Sequence, residues 1–447
     1  MALTEQTQAS LSGWGNFPRL RDARVLRARG EAEMRAAIAQ ERSLIARGNG
    51  RSYGDPAMGS RATLSLLPSD RLMAFDADSG VLTCEAGVML ADILDVFVPR
   101  GWFVPVTPGT KFVTVGGAIA SNVHGKNHHG AGSFGNHVES LTLALADGRV
   151  VRCSPQENAD LFAATCGGMG LTGVIVSASF RLMRIETAYI RQETHHAANL
   201  ETVMAMFEAN QAWTYSVAWI DCLARGPDLG RSLLYLGEHA RADELPAGNG
   251  QPLVLPPKAT RRVPIDFPAF ALNRWSVRAF NALYYRRAQA GGSLIDYDSY
   301  FYPLDAILEW NRIYGRPGFL QFQCVLPKAT AAAGLRLLLD RVARSGRASF
   351  LAVLKLLGKQ DGLLSFPMEG YTLALDFPAD TGTLGLMLEL DAITADHGGR
   401  PYLAKDSRCG ATLVRQGYPH LGEFQSIRAR VDPTGKFSSL QSERLGL

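Results

Sequence analysis

The sequence predicts an α+β protein with two domains. Glycine-rich clusters are confined to the part of the chain before Thr187, where short helical and strand patterns alternate. Beyond Thr187 the clusters stop, and a strand, a helix, two strands and a second helix follow, which is typical of an antiparallel sheet backed by helices. With 447 residues, 47% of them hydrophobic, the chain can build two or three domains with large cores.

Hydrophobic periodicity predicts the elements of the N-terminal part. Helical spacing covers residues 31–40, 89–99 and 157–166. Strand patterns cover residues 43–47, 81–85 and 174–182. Residues 141–151 are predicted to form a hairpin, because Asp147-Gly148 is a strong turn signal between two apolar runs.

In the second domain, three predicted strands separate two kinds of side chain onto opposite faces. These strands cover residues 214–221, 319–326 and 349–356. Tyr215, Val217 and Trp219 share a face of the first strand, Gln321 and Gln323 share a face of the second, and Val353 and Lys355 share a face of the third. Polar groups on such a face either meet water or line a pocket. The remaining predictions are a strand at 371–377, helices at 329–345 and 382–397, and a surface loop at 240–268.

Charge and composition exclude several classes of protein. Lys and Arg number 46 against 42 Asp and Glu, so a net charge of +4 gives no reason to expect nucleic acid as a partner. No stretch of ~18 apolar residues is present, so we expect no membrane span. Residues 1–15 lack a signal-peptide pattern, and six dispersed cysteines without a Cys-x-x-Cys pair indicate reduced thiols. We therefore expect a cytoplasmic protein.

Two glycine-bearing stretches are candidate ligand loops. Arg47 to Asp55 reads Arg-Gly-Asn-Gly-Arg-Ser-Tyr-Gly-Asp directly after a predicted strand, and such a turn is either an anion nest suited to a pyrophosphate or an ordinary loop. Residues 108–129 contain Thr-Val-Gly-Gly-Ala-Ile-Ala and His-Gly-Lys-Asn-His-His, whose small residues let a ligand lie against the backbone. No carboxylate or cysteine accompanies these histidines at ligand spacing, so we predict no metal site.

A third stretch, residues 167–173, contains Gly168, Gly170 and Gly173 in the G-x-G-x-x-G pattern. A dinucleotide-binding Rossmann turn needs this pattern after a strand and before a helix. Here it follows a predicted helix and precedes a predicted strand, so we interpret the Rossmann match as false.

Together, these stretches resemble the vanillyl-alcohol-oxidase class of FAD enzymes, which have a PCMH-type FAD-binding fold. The long motif His-Gly-Lys-Asn-His-His-x-Ala-Gly-Ser-Phe-Gly-Asn-His at 124–137 is the most specific part. The resemblance continues at Phe-Leu-Gln-Phe-Gln (319–323), Lys-Leu (355–356), Leu-Asp-Phe-Pro (375–378) and Tyr-Leu-Ala-Lys-Asp-Ser-Arg (402–408). Within the class, the chain is most similar to oxidases of polyprenylphosphoryl pentoses.

The resemblance implies an FAD-binding domain at 1–187, a substrate-binding α+β domain at 188–399 and a segment at 400–447 that completes the FAD domain. It also implies FAD as the cofactor. Many relatives attach FAD through a histidine where this chain has Arg51, so we expect non-covalent FAD, with His124 as the alternative attachment point. The implied cofactor contacts are Arg47, Gly48, Asn49, Gly50, Arg51, Ser52, Tyr53, Gly54, Gly109, Thr114, Val115, Gly116, Gly117, Ser121, Asn122, Val123, His124, Ile175 and Tyr402.

The implied activity is oxidation of the C2' hydroxyl of a polyprenylphosphoryl-β-D-ribose to the 2'-keto sugar. An NAD(P)H-dependent short-chain reductase would then complete epimerisation to the arabinose form for the cell envelope. We expect Lys405 to be the main catalytic residue, with His124 and Tyr53 beside it; the alternative for Lys405 is a surface pair with Asp406. The expected substrate contacts are Lys126, Trp219, Gln321, Gln323, Val353, Lys355 and Lys405.

Three questions stay open at this point. The substrate can instead be a soluble sugar or aldonolactone, and a metal-binding or ligand-binding protein built on His124, His128 and His129 is an alternative of another class. Residues 275–287 have helical spacing; we expect their apolar arc to pack into the second domain, the alternative being contact with the inner face of a membrane. Ala374 stands where mycobacterial relatives carry a cysteine, so the pocket lining differs there.

Overall fold

The fold was analysed in a computed structural model that describes residues 7–246, 250–256, 258–268, 273–349 and 351–447. Expectations for residues 1–6, and for 247–249 and 257 in the predicted loop, lie outside the described residues. The rest of that loop has only a 3-10 turn at Ala242–Glu244 and a two-residue strand at Arg261–Arg262. The predicted α+β class is confirmed.

The N-terminal region is organised by two sheets. Its strands are β1 (Thr7–Ser12), β2 (Arg19–Arg27), β3 (Ile45–Arg47), β4 (Thr63–Ser65), β5 (Leu72–Asp76), β6 (Val81–Glu85), β7 (Trp102–Phe103), β8 (Val138–Ala144), β9 (Val150–Cys153), β10 (Val174–Arg181) and β11 (Met183–Arg184). Its helices are α1 (Gly30–Gln40), α2 (Leu90–Phe97), α3 (Val115–Ala120), α4 (His128–Ala131) and α5 (Ala159–Thr165). One sheet has the order β1-β2-β4-β3 and the other β5-β6-β10-β8-β9.

The sequence-based elements of this region are found where they were predicted, within one or two residues at most ends. The hairpin joins β8 to β9, with Leu141 opposite Cys153. The third glycine stretch does follow helix α5 and precede strand β10, as the argument against a Rossmann turn required.

The second region is built on one eight-stranded antiparallel sheet. The strands of the region are β12 (Tyr189–Ala197), β13 (Tyr215–Ile220), β14 (Ser232–His239), β15 (Arg261–Arg262), β16 (Gly291–Asp296), β17 (Ile307–Leu308), β18 (Phe319–Pro327), β19 (Ala352–Leu357), β20 (Gly370–Pro378) and β21 (Arg400–Pro401). Of these, β15 and β17 form a separate two-stranded parallel sheet. Its helices are α6 (Leu200–Ala209), α7 (Arg274–Arg287), α8 (Tyr297–Phe301), α9 (Lys328–Ser345) and α10 (Thr381–Asp396). The sheet has the order β16-β12-β14-β13-β19-β20-β18-β21.

The two faces of this sheet have different neighbours. On one face, Leu320, Phe322 and Leu354 join a buried apolar cluster with side chains of α6, α9 and α10. The alternation predicted from the sequence therefore places Gln321, Gln323 and Lys355 on the opposite face, toward the N-terminal region.

The C-terminal residues return to the N-terminal region. They form α11 (Ala411–Gly417), α12 (Leu421–Val431) and α13 (Leu440–Leu445). Leu44 pairs with Phe437 in a parallel bridge, and Leu403, Phe424 and Leu445 belong to the same buried cluster as the N-terminal core. The boundaries at 187 and 399 stay a prediction, but these contacts explain why the end of the chain can complete the N-terminal site.

The expected packing of helix α7 is wrong. Its apolar arc points outward: the side chains of Trp275, Leu283 and Tyr284 are 64%, 48% and 38% exposed, whereas Val277 is buried. One physical reason is polar: Asn281 donates a hydrogen bond of 2.7 Å to the buried carboxylate of Asp221, so the side of the helix with Asn281 and Val277 faces the protein. At the edge of the arc, Tyr284 contacts Trp219 of the sheet. Among the described residues, no helix combines the length and the hydropathy required to cross a bilayer.

Candidate active site

A cavity of about 420 Å³ lies between the glycine loops of the N-terminal region and the face of the large sheet that is opposite its helices. It is lined by most of the residues singled out in the sequence. From the N-terminal region these are Arg47, Gly48, Asn49, Gly50, Arg51, Ser52, Tyr53, Gly109, Thr114, Gly116, Gly117, Ser121, Val123, His124, Lys126 and Ile175. From the sheet and the C-terminal segment they are Val217, Trp219, Gln321, Gln323, Val353, Lys355, Tyr402 and Lys405.

Three of the predicted cofactor contacts, Gly54, Val115 and Asn122, do not line the cavity, and their contact with FAD stays a prediction. Val115 is fully buried in the apolar core. Asn122 donates to Ser365 Oγ and accepts from the backbone N–H of Gly135, so its amide is used inside the protein. A Cβ at Gly54 would lie 2.0 Å from the backbone oxygen of Asp406, which makes this glycine a packing position.

The glycine-rich wall presents backbone and one buried cation to the cavity. Gly109 has no protein atom within 4 Å of the place where a Cβ would stand. The Arg51 guanidinium lies 4.1 Å from the centroid of the Trp14 ring, and its buried Nε has no hydrogen-bond partner among the described residues. An open backbone surface beside an unsatisfied buried cation suits an extended, anionic ligand such as a dinucleotide.

Lys405 is not a surface lysine paired with Asp406, which was the alternative considered above. Asp406 instead pairs with Arg444 at 3.0 Å. Lys405 Nζ lies inside the cavity, 3.4 Å from the centroid of the Tyr53 ring. Backbone contact fixes this arrangement, since Tyr53 N–H donates to the Ala404 carbonyl at 3.0 Å.

Asp376 is a buried carboxylate next to Lys405 that sequence reasoning did not select. Gln321 Nε2 donates to its Oδ1, while Oδ2 has no partner among the described residues. Burial raises the pKa of Asp376, against the hydrogen bond from Gln321 and the charge of Lys405. Burial lowers the pKa of Lys405, Asp376 opposes that change, and the charge of Lys355 lowers the pKa further. Lys405 therefore gives up its proton more readily than a solvated lysine.

Two more lysines face the same space. Lys126 lies 3.9 Å from the centroid of the Tyr300 ring and donates to the Tyr300 carbonyl, and burial followed by the charge of Lys355 lowers its pKa to about 7. Burial lowers the pKa of Lys355 to about 8. Cations held in a poorly solvated cavity become more stable when an anion binds, so this group favours an anionic substrate.

His124 lies between the two walls of the cavity. Its ring packs against Tyr402 with 5.2 Å between centroids, and its Nε2 is 3.4 Å from Gln323 Nε2. Burial and the charges of Lys355, His128 and Lys405 hold its pKa well below the usual range, so the ring is neutral.

His128 and His129, which with His124 formed the candidate metal cluster, bond to the protein. His128 Nδ1 accepts from the Gly358 N–H at 3.1 Å, and His129 Nε2 lies 2.8 Å from the Trp213 carbonyl. Over the described stretches of the chain, no three His, Cys, Asp or Glu side chains form a group able to hold a metal ion.

Sequence reasoning missed several cavity residues. Gly170 and Gly173 line the cavity although their motif is not a Rossmann turn, so their glycine spacing was a usable signal. Trp14, Tyr235, Tyr284 and Trp310 also line it. They carry no local motif, because they reach the cavity only through the tertiary fold.

Comparison with known proteins places this geometry in a family. Residues 24–154 match the family described as an FAD binding domain, and residues 374–445 match the family described as D-arabinono-1,4-lactone oxidase. The chain is 40% identical to the decaprenylphosphoryl-beta-D-ribose oxidase of Mycolicibacterium smegmatis, over 93% of this chain and 92% of the relative. It belongs to this family of FAD-dependent oxidases.

Two further relatives share a lower sequence identity with this oxidase. An uncharacterized protein of Streptomyces coelicolor is 36% identical over 80% of this chain and 100% of its own length. The D-arabinono-1,4-lactone oxidase of Yarrowia lipolytica is 28% identical over 41% of this chain and 35% of its own length.

The cavity of this oxidase suits FAD on its own chemistry. The open backbone at Gly109 accommodates a flat or extended group, and the unsatisfied Arg51 Nε suits a pyrophosphate oxygen. The opposite wall carries side chains that can bind an anion and accept a proton. The oxidase is therefore an FAD-dependent oxidoreductase that acts on a CH–OH group.

Proposed function

We propose that this oxidase converts the C2' hydroxyl of a polyprenylphosphoryl-β-D-ribose into a ketone, the first half of epimerisation to the arabinose form. The observation that carries the proposal is the convergence of Lys126, Lys355 and Lys405 on one cavity opposite a glycine-rich wall. One lysine serves the oxidised hydroxyl and two serve a phosphate. The extensive similarity to an oxidase named for decaprenylphosphoryl-beta-D-ribose supports this assignment.

The cofactor is held by the glycine-rich wall. We assign the pyrophosphate to the loop from Arg47 to Tyr53, and the rest of the cradle to Gly109, Thr114, Gly116, Gly117, Ser121, Val123, Ile175 and Tyr402. When bound, FAD supplies the acceptor for the hydride that leaves C2'. Because Arg51 occupies the position of the attachment histidine of other relatives, the FAD is non-covalent and acid denaturation should release it.

Lys405 is the proposed proton acceptor for the substrate hydroxyl. Its lowered pKa makes a neutral amine accessible near neutral pH, as a general base requires. Asp376 is a positioning residue, since it is buried next to Lys405 and limits the fall of its pKa. Tyr53 packs under the Lys405 ammonium and keeps it directed into the cavity.

Lys126 and Lys355 are the proposed phosphate ligands. Both are cationic only below pKa values of about 7 and about 8 in the substrate-free protein, and a bound phosphate would raise both values. Gln321, Gln323 and neutral His124 provide donors and acceptors for the sugar hydroxyls. Trp219 and Val353, which pair across neighbouring strands, provide the apolar surface for the pentose ring.

Two partners follow from this chemistry. The keto sugar must be reduced by another enzyme, which we propose is an NAD(P)H-dependent short-chain reductase. The polyprenyl group of the substrate resides in a lipid bilayer, so the oxidase is proposed to act in the cytoplasm at the inner face of the membrane.

A soluble aldonolactone or sugar is the second candidate substrate. The match of residues 374–445 to the D-arabinono-1,4-lactone oxidase family favours it. The lysine cluster argues against it, since a neutral lactone leaves Lys126 and Lys355 without an anionic partner.

The test is an anaerobic visible spectrum of the FAD-loaded protein before and after addition of farnesylphosphoryl-β-D-ribose. Bleaching of the flavin band is expected. In parallel, D-arabinono-1,4-lactone should leave the band unchanged. Bleaching by the lactone alone would overturn the assigned substrate, and absence of a flavin band after FAD reconstitution would overturn the whole proposal.

A further inference from the structure

A second groove lies beside the active-site cavity and shares two residues with it. Tyr235 of β14 and Tyr284 of α7 line both spaces, and their hydroxyl groups are hydrogen-bonded at 2.9 Å. The groove has a volume of about 600 Å³ and continues along α7 and the chain that follows it. The two tyrosines therefore form a common wall between the cavity and an external groove.

The side of the groove formed by α7 carries apolar side chains in contact with solvent, whereas the rest of its lining includes Gln192, Thr194 and Arg287. Leu283 is 48% exposed, and the ring of Phe280 stacks on that of Tyr284 with 5.7 Å between centroids. Helix α7 is anchored by the Asn281–Asp221 and Tyr284–Tyr235 hydrogen bonds with this side in contact with solvent. An exposed apolar strip at the mouth of a binding site marks a surface for an apolar ligand group.

The path from the substrate site to this groove is short. Trp219, which lines the active-site cavity, packs against Tyr284 with 4.9 Å between ring centroids. Val217, which also lines the cavity, pairs with Tyr235 on the neighbouring strand. A group attached to a phosphate in the cavity can therefore leave it past Tyr235 and Tyr284. The next surface that this group meets is the one formed by Phe280 and Leu283.

We propose that this groove binds the first isoprene units of the lipid tail of the substrate. This inference rests on the proposed function, because that function supplies a substrate with a prenyl chain. Tyr235 and Tyr284 then separate a polar compartment for the sugar phosphate from an apolar compartment for the tail. Recognition of the lipid would take place on the protein itself and not only through the membrane around it.

The test compares two esters of phosphoryl-β-D-ribose, one with a farnesyl tail and one with an ethyl group, in anaerobic flavin reduction by the FAD-loaded enzyme. Leu283→Gln should lower kcat/KM for the farnesyl ester about tenfold, the loss expected for one or two methylene contacts, and leave the ethyl ester unchanged. Leu283 lies outside the active-site cavity and is already exposed, so the variant should fold. Trp275→Gln is the matched control, since Trp275 is exposed on the same helix outside the groove.

Each alternative outcome is distinguishable. An equal loss of kcat/KM for both esters, or no loss for either, would overturn the proposal that the groove binds the tail. A loss with Trp275→Gln as large as that with Leu283→Gln would mean that the helix contacts a lipid surface as a whole, which also contradicts a tail site. If the wild-type enzyme oxidises neither ester, the proposed function fails; calorimetric titration of the holoenzyme with farnesyl phosphate then tests the groove, with weaker binding by Leu283→Gln expected.

Discussion

The two walls of the active-site cavity are made from different parts of the polypeptide. The cofactor wall is mainly backbone, with glycines such as Gly109 that leave room for a ligand. The substrate wall consists mainly of side chains on strands β13, β18, β19 and β20 and of Lys405 from the C-terminal segment, with Lys126 added by the N-terminal region. A substitution in the cofactor wall therefore alters the shape of the cofactor-binding surface, whereas one in the substrate wall alters the charge and proton affinity of the side chains that face the substrate.

This difference explains how one scaffold can serve several substrates. The backbone wall tolerates few residue types, because a Cβ there either meets protein atoms or enters the ligand space. The side-chain wall can change residue by residue while the sheet stays intact, as Ala374 illustrates beside Val353 and Gln323.

The largest effect that is confined to one wall should come from Lys405→Met in the substrate wall. We expect kcat to fall by about 10²–10³, the range for loss of a general base, while FAD stays bound. Stopped-flow flavin reduction gives the rate, and the visible spectrum gives the cofactor content. Lys328→Met, on an exposed lysine paired with Glu208, is the control. Loss of FAD together with activity would show that Lys405 belongs to the cofactor wall.

The opposite pattern, a loss of FAD affinity, is expected from Gly109→Ala in the cofactor wall. The added methyl group has space in the protein but enters the cavity, so FAD affinity should fall about tenfold or more with little change in the melting temperature of the FAD-free protein. Fluorescence titration with FAD measures the affinity. Gly130→Ala is the matched control, because a Cβ there also meets nothing and lies outside the cavity. Equal affinities in both variants would contradict the cofactor assignment.

Asp376→Asn tests electrostatics within the substrate wall. Asp376 raises the pKa of Lys405, so its removal should lower that pKa further. A base that must be neutral then becomes active at lower pH, and the acid limb of the kcat profile should move down by about one pH unit. The pH dependence of flavin reduction measures the shift. An unchanged limb would mean that another group accepts the proton.

The smallest effect is expected from Ala374→Cys. The side chain lines the cavity without a proposed contact, so kcat/KM should stay within about threefold of the original. All six natural cysteines are buried, so a small thiol reagent should label the variant and spare the parent protein. Mass spectrometry reports the labelling. Absence of labelling would show that the substrate wall is closed at this position.

Sequence reasoning reached residues of both walls, by different signals. Glycine clusters are local signals, and they made the loop from Arg47 to Tyr53 a candidate ligand loop; the family resemblance then implied FAD as its ligand. The face shared by Gln321 and Gln323 was also local, because alternation along a strand is visible in sequence. Asp376 was missed as a site residue because its importance depends on Lys405, which comes from a distant segment.

For helix α7, the sequence predicted the element but not which of its sides faces solvent. Its helical spacing was recognised, but its rotation was predicted wrongly, since an apolar arc normally faces a core. Its contacts, such as the hydrogen bond from Asn281 to Asp221, join residues far apart in the sequence, and hydrophobic periodicity carries no information on such pairs.

The return of the C-terminal segment to the first loop has a consequence for biosynthesis. Lys405, the Ala404 carbonyl that holds Tyr53, and Phe437 beside Leu44 all leave the ribosome after the rest of the protein. The nascent chain carries its complete set of glycine loops long before it has a closed flavin site. A closed flavin site therefore forms only after Lys405 has been synthesised, and a translation product interrupted before Ala404 has neither the base nor the backbone contact that holds the first loop in place.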